Sequence, residues 1–317
     1  MLRHFTGSLA KNSRAGIALD GPNAGIARVR RQGDGAPSLA VRVFDAAGEW
    51  LDEAAEHADD LDLQRTPASS VLSAKSYQLQ LLEIPNVPAD ELLAALRWRL
   101  KDLIDFPVEE AGVELLEMPP HSNPGAPHTG YAVVTRRDEV LQQIESMERA
   151  DLSMDVIDIP ELCVRNVAVM LPEDKDGAAF LHFTEDCGYL TVTRQGVLHL
   201  TRHLDAGRRA LADDRSDEFT LQELINGIAL EVQRSLDYYE SHYDCRPVTQ
   251  IVVGPGAGLD ELKSGLTQNL GINVRTVEFE DLFSLEQDIP LDVQGSCLLA
   301  VGAALRCDAA SQGGHAS

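Results

Sequence analysis

Short apolar runs dominate the start of the chain. Ala15–Leu19 and Ala24–Arg30 flank Asp20-Gly21-Pro22-Asn23, and turn chemistry between two apolar runs predicts a β-hairpin. A Gly/Asp/Pro break at Gly33–Pro37 leads into a third predicted strand, Leu39–Phe44. Tyr77–Ile84 reads as another strand, after which the period changes. Leu92, Leu93, Leu96, Leu100, Leu103 and Ile104 recur at helical spacing over Ala89–Ile104. Proline opens that helix and Phe106-Pro107 closes it. Trp98 lies off the apolar stripe between Arg97 and Arg99, which predicts an exposed indole. Strands at Val113–Glu117 and Tyr131–Thr135 bracket a loop, Pro119–Gly130; helix Asp138–Ala150, strand Met154–Ile159 and helix Glu161–Met170 follow.

The polar stretch Pro172–Gly177 is the clearest boundary in the pattern. Beyond it the opening arrangement returns: strand Ala178–Phe183, a turn through Glu185-Asp186-Cys187, strand Gly188–Arg194, then Val197–His203. The longest helix, Leu221–Tyr243, carries an unbroken apolar stripe through Leu224, Ile228, Val232, Leu236 and Tyr239, as a core-facing helix does. Strand Thr249–Val253, the loop Gly254-Pro255-Gly256-Ala257-Gly258, helix Leu259–Leu270 and strand Asn273–Val277 form an α/β unit. Helix Gly295–Arg306 precedes a small, polar tail. Two α/β halves, each opening with a hairpin, point to a weak duplication.

Charge changes the picture more than composition does. Of 317 residues, 51 are acidic and 27 are lysine or arginine, a formal charge of −24. That balance disfavours non-specific nucleic-acid binding, which needs basic side chains to displace phosphate counterions, and broad adhesion to an anionic membrane. Between Asp45 and Asp62 stand Asp45, Glu49, Asp52, Glu53, Glu56, Asp59, Asp60 and Asp62 with no lysine or arginine, the pattern of a solvated face or an acidic docking surface. The cysteines are scattered and form no C-x-x-C pair, which argues against a zinc ribbon or disulfide framework and suits a reducing cytosol. The apolar run Cys297–Leu305 is too short to cross a membrane. Residues 1–14 are basic and weakly amphipathic, without a signal peptide's apolar core; they read as a frayed terminus or a contact segment. A soluble cytoplasmic protein is expected.

Local motifs announce little chemistry. The loop Gly254–Gly258, between a strand and a helix, has the form that cradles phosphate on backbone N–H groups, although tight strand–helix turns use glycine anyway. No P-loop, complete G-x-G-x-x-G or H-E-x-x-H occurs. His199 and His203 share a strand face, but no third ligand lies nearby, so no metal site is expected.

Three longer stretches carry a resemblance: Leu82-Glu-Ile-Pro-Asn-Val-Pro88, Arg97-Trp-Arg-Leu-Lys-Asp-Leu-Ile-Asp-Phe-Pro-Val-Glu109 and Glu231-Val-Gln-Arg-Ser-Leu-Asp-Tyr-Tyr-Glu-Ser241. With the first hairpin, the glycine loop and Ala300-Val-Gly-Ala-Ala-Leu-Arg306, they make most of residues 15–306 similar to the PilM-like, actin-like assembly proteins of type IV pili. Within that family the likeness is to the branch of the mannose-sensitive haemagglutinin (MSHA) pilus system. The resemblance implies an α/β fold of the actin/Hsp70-like (ribonuclease H-like) class, with duplicated halves facing each other across a nucleotide cleft. A small α+β subdomain would be inserted in the first half at about 76–135. The expected bounds are 1–175 for the first half, 176–290 for the second, and 291–317 for a helix packing back plus a disordered tail.

It also implies a partner: the cytoplasmic tail of a bitopic inner-membrane protein, PilN or, in the MSHA system, MshJ. The tail would sit in the groove beside the inserted subdomain, with Arg97, Trp98 and Arg99 as candidate contributors. The protein would then reach the inner membrane through that partner, and the acidic run at 45–62 becomes a candidate dock for a basic juxtamembrane segment.

For the nucleotide, the resemblance singles out Asp20, Gly21 and Asn23 in the first hairpin and Gly254, Gly256 and Gly258 in the loop. Relatives that bind ATP carry Asp-x-Gly in each hairpin, where carboxylates position Mg²⁺ and water and glycine admits phosphate. Here an ungapped match of Gly16-Ile-Ala-Leu-Asp20 sets Ala18 at the acid and Asp20 at the glycine, although Asp20-Gly21 could substitute if the turn is shifted by two residues. His182-Phe183-Thr184 replaces the whole second triplet, and nothing comparable rescues it. A side chain at a former glycine narrows the room for phosphate. Between Arg202 and Leu221 the chain is shorter than in PilM-like sequences and lacks an Ala-Glu-x-x-Lys segment. The expectation is a scaffold with no catalytic residue and no required cofactor, retaining at most residual ATP/Mg²⁺ binding. The alternatives are an active ATPase of the actin/Hsp70 superfamily and a carbohydrate kinase on the same fold, which would need a poised carboxylate base.

Overall fold

The turn chemistry at Asp20–Asn23 produces the hairpin it predicts. In the computed structural model, β1 (Ser13–Asp20) and β2 (Asn23–Arg30) pair antiparallel with Asp20 opposite Asn23, and β3 (Ser38–Asp45) pairs with β2. The structure describes residues 12–306 apart from 34, 48–49, 58–59, 153, 213–217 and 244–245. The readings made for residues 1–11, for Glu49 and Asp59, and for the tail after residue 306 lie outside the described residues.

After α1 (Trp50–Glu56), β4 (Ala68–Val71) runs parallel to β1. β5 (Tyr77–Glu83), α2 (Ala89–Leu100), β6 (Ala111–Glu117) and β7 (Thr129–Arg136) form a separate three-stranded sheet, ordered β5-β7-β6, with its helix. The chain then returns through α3 (Arg137–Arg149) to β8 (Met154–Asp158), parallel to β4, and continues into α4 (Pro160–Ala168).

The second half repeats the plan. β9 (Ala178–Phe183), β10 (Gly188–Arg194) and β11 (Val197–Leu204) make an antiparallel meander. α5 (Arg208–Leu211) and α6 (Glu218–Tyr243) lead to β12 (Gln250–Val253), parallel to β9; α7 (Asp260–Leu270) leads to β13 (Asn273–Thr276), parallel to β12. The spatial orders β3-β2-β1-β4-β8 and β11-β10-β9-β12-β13 are therefore the same: three antiparallel strands followed by two parallel ones. α8 (Phe279–Leu282) and β14 (Ser284–Leu285) cross back, and β14 adds to β3 of the first sheet before α9 (Leu291–Ala304).

α9 explains how the halves join. It has no polar face, is buried from Gln294 to Ala304, and lies with α4 in the core shared by both large sheets. A helix apolar all round must be covered all round. Close approach demands small residues: a Cβ on Gly302 would stand 2.1 Å from the Cys163 carbonyl oxygen of α4. The outer face of the second sheet is covered by the stripe of α6 and by α7, and that of the first by α1 and α3. The acids Asp52, Glu53, Glu56 and Asp60 are exposed, on or just after α1, as a solvated face requires.

The sequence pattern missed β4, α5, α8 and β14. β4 carries no apolar run, its centre being Ser69-Ser70, yet both serines are buried, satisfied by Arg14 and Gln143 side chains. The helix expected over 89–104 ends at Leu100, leaving Leu103 exposed, and α9 begins at Leu291 rather than Gly295. Among the described residues, no helix is long and apolar enough to cross a membrane.

Candidate functional site

Among the described residues, two recesses that border the halves differ in kind. The first lies where the tips of the two duplicated hairpins meet. Gly21 holds φ 59° in the two-residue turn after β1, a conformation open to glycine, and a Cβ there would stand 2.5 Å from Glu185 Cγ in the turn after β9. The tips are thus in contact. Asp20, 3% exposed, accepts the Glu185 backbone N–H at 2.6 Å and a bond from Arg208 Nη2. Arg208 also donates through Nη1 to the Phe183 carbonyl and through Nη2 to Ser296 Oγ of α9 at 3.3 Å. Burial pushes the Asp20 carboxyl above its ordinary value, and Arg208 pulls it back.

The second tip is closed on itself. Thr184 N–H donates to the Cys187 carbonyl at 2.8 Å, and Thr184 Oγ1 donates to the same oxygen at 2.9 Å. Cys187 N–H in turn reaches Thr184 Oγ1 at 3.3 Å. His182 is fully enclosed; neither ring nitrogen has a hydrogen-bond partner among the described residues, and burial drives its pKa well below the usual range. Ala18 packs in the core.

The structure brings the candidate nucleotide residues to one place but fills it. Asn23 donates to Ser296 Oγ at 3.4 Å. Gly254 lies against Leu298, Phe180 and His182, Gly256 against Leu259 and Arg208, and Gly258 takes φ 74°. What remains is a recess of about 330 Å³ whose walls include Arg208, Arg209 and Ser296 but also the carboxylates of Glu185 and Asp292. ATP with Mg²⁺ does not fit this arrangement. Phosphate needs free N–H donors, whereas those of Glu185 and Cys187 are engaged and the guanidinium of Arg208 is already bonded on several sides. Arg208 was not singled out in the sequence; the only signal was its place just after the second hairpin, in the shortened segment between Arg202 and Leu221.

The second recess is open. It is a groove of two adjoining lobes, about 700 and 570 Å³, which share Leu116, Asp158, Leu162 and Arg306. One wall is β6, one of the two edge strands of the three-stranded sheet, whose residues Gly112 to Leu116 line it. The opposite wall comes from the end of β8 and from α4, and the far end reaches the β10–β11 turn at Gln195–Leu198. Its arginines are held by the protein: Arg306 to Asp158 at 2.7 Å, Arg31 to the Leu305 carbonyl at 2.7 Å, Arg165 to the Gly196 carbonyl at 2.7 Å. The small sheet is fastened to the body by Tyr77, which donates to the buried Glu161 at 2.5 Å, and by Tyr131, which donates to the Thr201 carbonyl at 3.2 Å.

Arg97, Trp98 and Arg99 stand elsewhere. α2 packs on the face of the small sheet formed by Leu82, Ala111, Val113, Ala132 and Val134, whereas Tyr131 and Leu116 turn the other way, toward Leu162 and Leu198. Trp98 is 79% exposed, as its place off the stripe predicts, but it lines neither lobe of the groove. Arg99 donates to the Glu83 carbonyl at 2.7 Å. The acidic α1 packs beside β3, toward the opposite end of the first sheet's strand order from β8 and the groove. Among the described residues no cluster of His, Cys, Asp or Glu suits a metal ion.

No family model matches the sequence, and no curated protein matches it. Solved structures do. The chain is similar to a PilM–PilN type IV pilus biogenesis complex, with TM-score 0.69 and 19% identity over 92% of this chain and 97% of that chain. It is also similar to the cytoplasmic domain of EpsL, an inner-membrane component of the type II secretion system of Vibrio cholerae (TM-score 0.49, 14% identity, 92% and 94% covered). A third is a Bacteroides thetaiotaomicron protein described as having an actin-like ATPase fold (TM-score 0.48, 10% identity, 90% and 96% covered). The fold is actin/Hsp70-like, as the resemblance implies, and the two hairpin-led sheets of the same strand order agree with it.

Proposed function

We propose that this chain is an actin-like scaffold of type IV pilus biogenesis that grips the cytoplasmic tail of a PilN-like inner-membrane protein and does not turn over ATP. The observation that carries the reading is the contrast between an open groove edged by β6 and a cleft whose hairpin tips are joined through Asp20 and Arg208. An edge strand offers backbone N–H and C=O groups to an extended peptide, and the apolar side chains around it, Leu115, Leu116 and Leu162, offer pockets for alternate residues. The similarity to a PilM–PilN complex supports a tail of that kind as the occupant. The sequence stretches quoted above favour the MSHA branch, with this chain in the place of MshI and MshJ as the partner.

In this reading the protein is cytoplasmic and peripheral to the inner membrane, because its acids repel anionic lipid while the partner supplies the anchor. We take the halves as 1–175 and 176–290, with the insertion at about 76–135 and residues 291–317 packing back, although β14 shows chain from the second span adding to the first sheet. Calorimetry with a synthetic peptide of the MshJ-like N-terminal tail tests the proposal. Micromolar binding that disappears in Leu116→Arg supports it; no binding, or binding indifferent to that change, removes it. Heat and steady hydrolysis with ATP and Mg²⁺ would favour the ATPase alternative.

A further inference from the structure

We propose that Arg208 is a built-in replacement for the nucleotide: its guanidinium, bonded to both hairpin tips and to α9, clamps the two halves closed with no ligand present. The argument begins with placement. Arg208 N–H donates to the Thr184 carbonyl at 2.8 Å and Arg209 N–H to the Glu185 carbonyl at 3.0 Å, so α5 starts hard against the second hairpin. Gly207 permits that contact, since a Cβ there would lie 2.3 Å from the Glu185 carbonyl oxygen. Arg209 adds outer ion pairs to Glu185 at 3.1 Å and Asp186 at 3.0 Å.

From this seat the Arg208 side chain crosses to the first half. It reaches Asp20 at the first tip, the Phe183 carbonyl behind the second, and Ser296 on the helix between the sheets. The side chains of this pair are 11% and 2% exposed. The polarity of the cleft is thereby reversed. A phosphate site presents donors to an anion, but here the tips present a carboxylate and a carbonyl to a cation that the chain itself supplies. Both Asp20 oxygens act as acceptors, one for Arg208 and one for Glu185 N–H, as an ionised carboxylate does. A guanidinium fork suits this task, because one planar group can bond several acceptors at fixed angles.

The consequence is that the relative position of the halves is set by the sequence and not by nucleotide state. This inference does not depend on the pilus reading, and its test uses no partner. Hydrogen–deuterium exchange on the full chain should show both tips, residues 20–25 and 183–189, exchanging at least about tenfold faster in Arg208→Ala, with β6 unchanged. Arg208→Lys, a point charge without the fork, should fall between. Millimolar ATP with Mg²⁺ should leave exchange of the wild-type tips as it was. Should Arg208→Ala fail to fold, the double variant Asp20→Asn with Arg208→Met, which leaves no unpaired charge, takes the same measurement. Unchanged tip exchange in the variants, or protection of the wild-type tips by ATP, overturns the clamp.

Discussion

The cleft and the groove are both formed where separate parts of the chain meet, yet one is closed and the other open. In the cleft, two tight turns touch, and the polar groups they bring together satisfy one another through Asp20 and Arg208. In the groove, an edge strand faces a helix across apolar side chains, and the nearby arginines are bonded to the protein's own carbonyls and carboxylate. Buried polar groups are mostly paired, and at the tips Asp20 and Arg208 pair each other and so offer little to a ligand. The enclosed His182 nonetheless keeps both ring nitrogens without a partner among the described residues. A strand edge keeps its backbone groups on offer until another strand arrives. The difference teaches that two recesses of one fold can differ in chemistry: at the tips a guanidinium of the chain itself supplies the contact, whereas the groove leaves a strand edge on offer.

The sharpest way to break this contrast is to remove the guanidinium. Arg208→Ala leaves a buried carboxylate without its partner, and urea unfolding should show a loss of about 3–5 kcal/mol. The double variant Asp20→Asn with Arg208→Met should recover part of it, because a neutral pair carries no unpaired charge. A loss under about 1 kcal/mol in Arg208→Ala would mean the pair is solvated and the cleft not closed. On the groove side, Leu116→Arg should weaken tail-peptide binding about a hundredfold, roughly 2.7 kcal/mol, while circular dichroism stays native. If Arg208→Ala weakened peptide binding as much, the two recesses would not be separable.

A smaller effect is expected from pH. Arg275 bonds Glu173 at 2.7 and 2.8 Å and holds its carboxyl below the usual range, whereas burial holds that of Asp20 above it. For Glu173 the folded state binds its proton less readily than the unfolded chain, so its contribution is present above the ordinary carboxylate range and is lost as pH falls through the folded value. For Asp20 the folded state binds the proton more readily, so its contribution falls as pH rises through the raised value. Urea melts between about pH 4 and 7 should therefore give slopes of opposite sign for wild type minus Glu173→Gln and wild type minus Asp20→Asn. Slopes of one sign would show that Arg208 outweighs burial at Asp20. The least effect belongs to Trp98→Ala: within about 0.5 kcal/mol in stability, and no change in peptide binding, because the indole is exposed and lines neither lobe of the groove. A tenfold loss of binding would move the partner onto α2.

Much of the fold was legible because it is local. The hairpin at Asp20–Asn23, the second hairpin after Pro172–Gly177 and the stripe of α6 follow from turn chemistry and apolar spacing within a few residues. β4 escaped because its buried serines are satisfied by Arg14 and Gln143, from segments 55 and 73 residues away. The candidate site was half legible. Ala18, Asp20 and His182 stood out as departures from a nucleotide-binding pattern, and Trp98 as a residue off its stripe. Arg208 carried no signal beyond its place after the second hairpin, since an arginine after a strand means little until its partner is known. By itself the sequence determined a duplicated α/β chain, two hairpin turns that depart from Asp-x-Gly, and a strongly acidic composition. Only the tertiary structure decided that Arg208, 188 residues from Asp20, would close those turns and that β6 would be left at an edge. The physical reason is range: turns and helices are fixed by neighbours along the chain, while a salt bridge or a strand edge is fixed by what folding brings beside it.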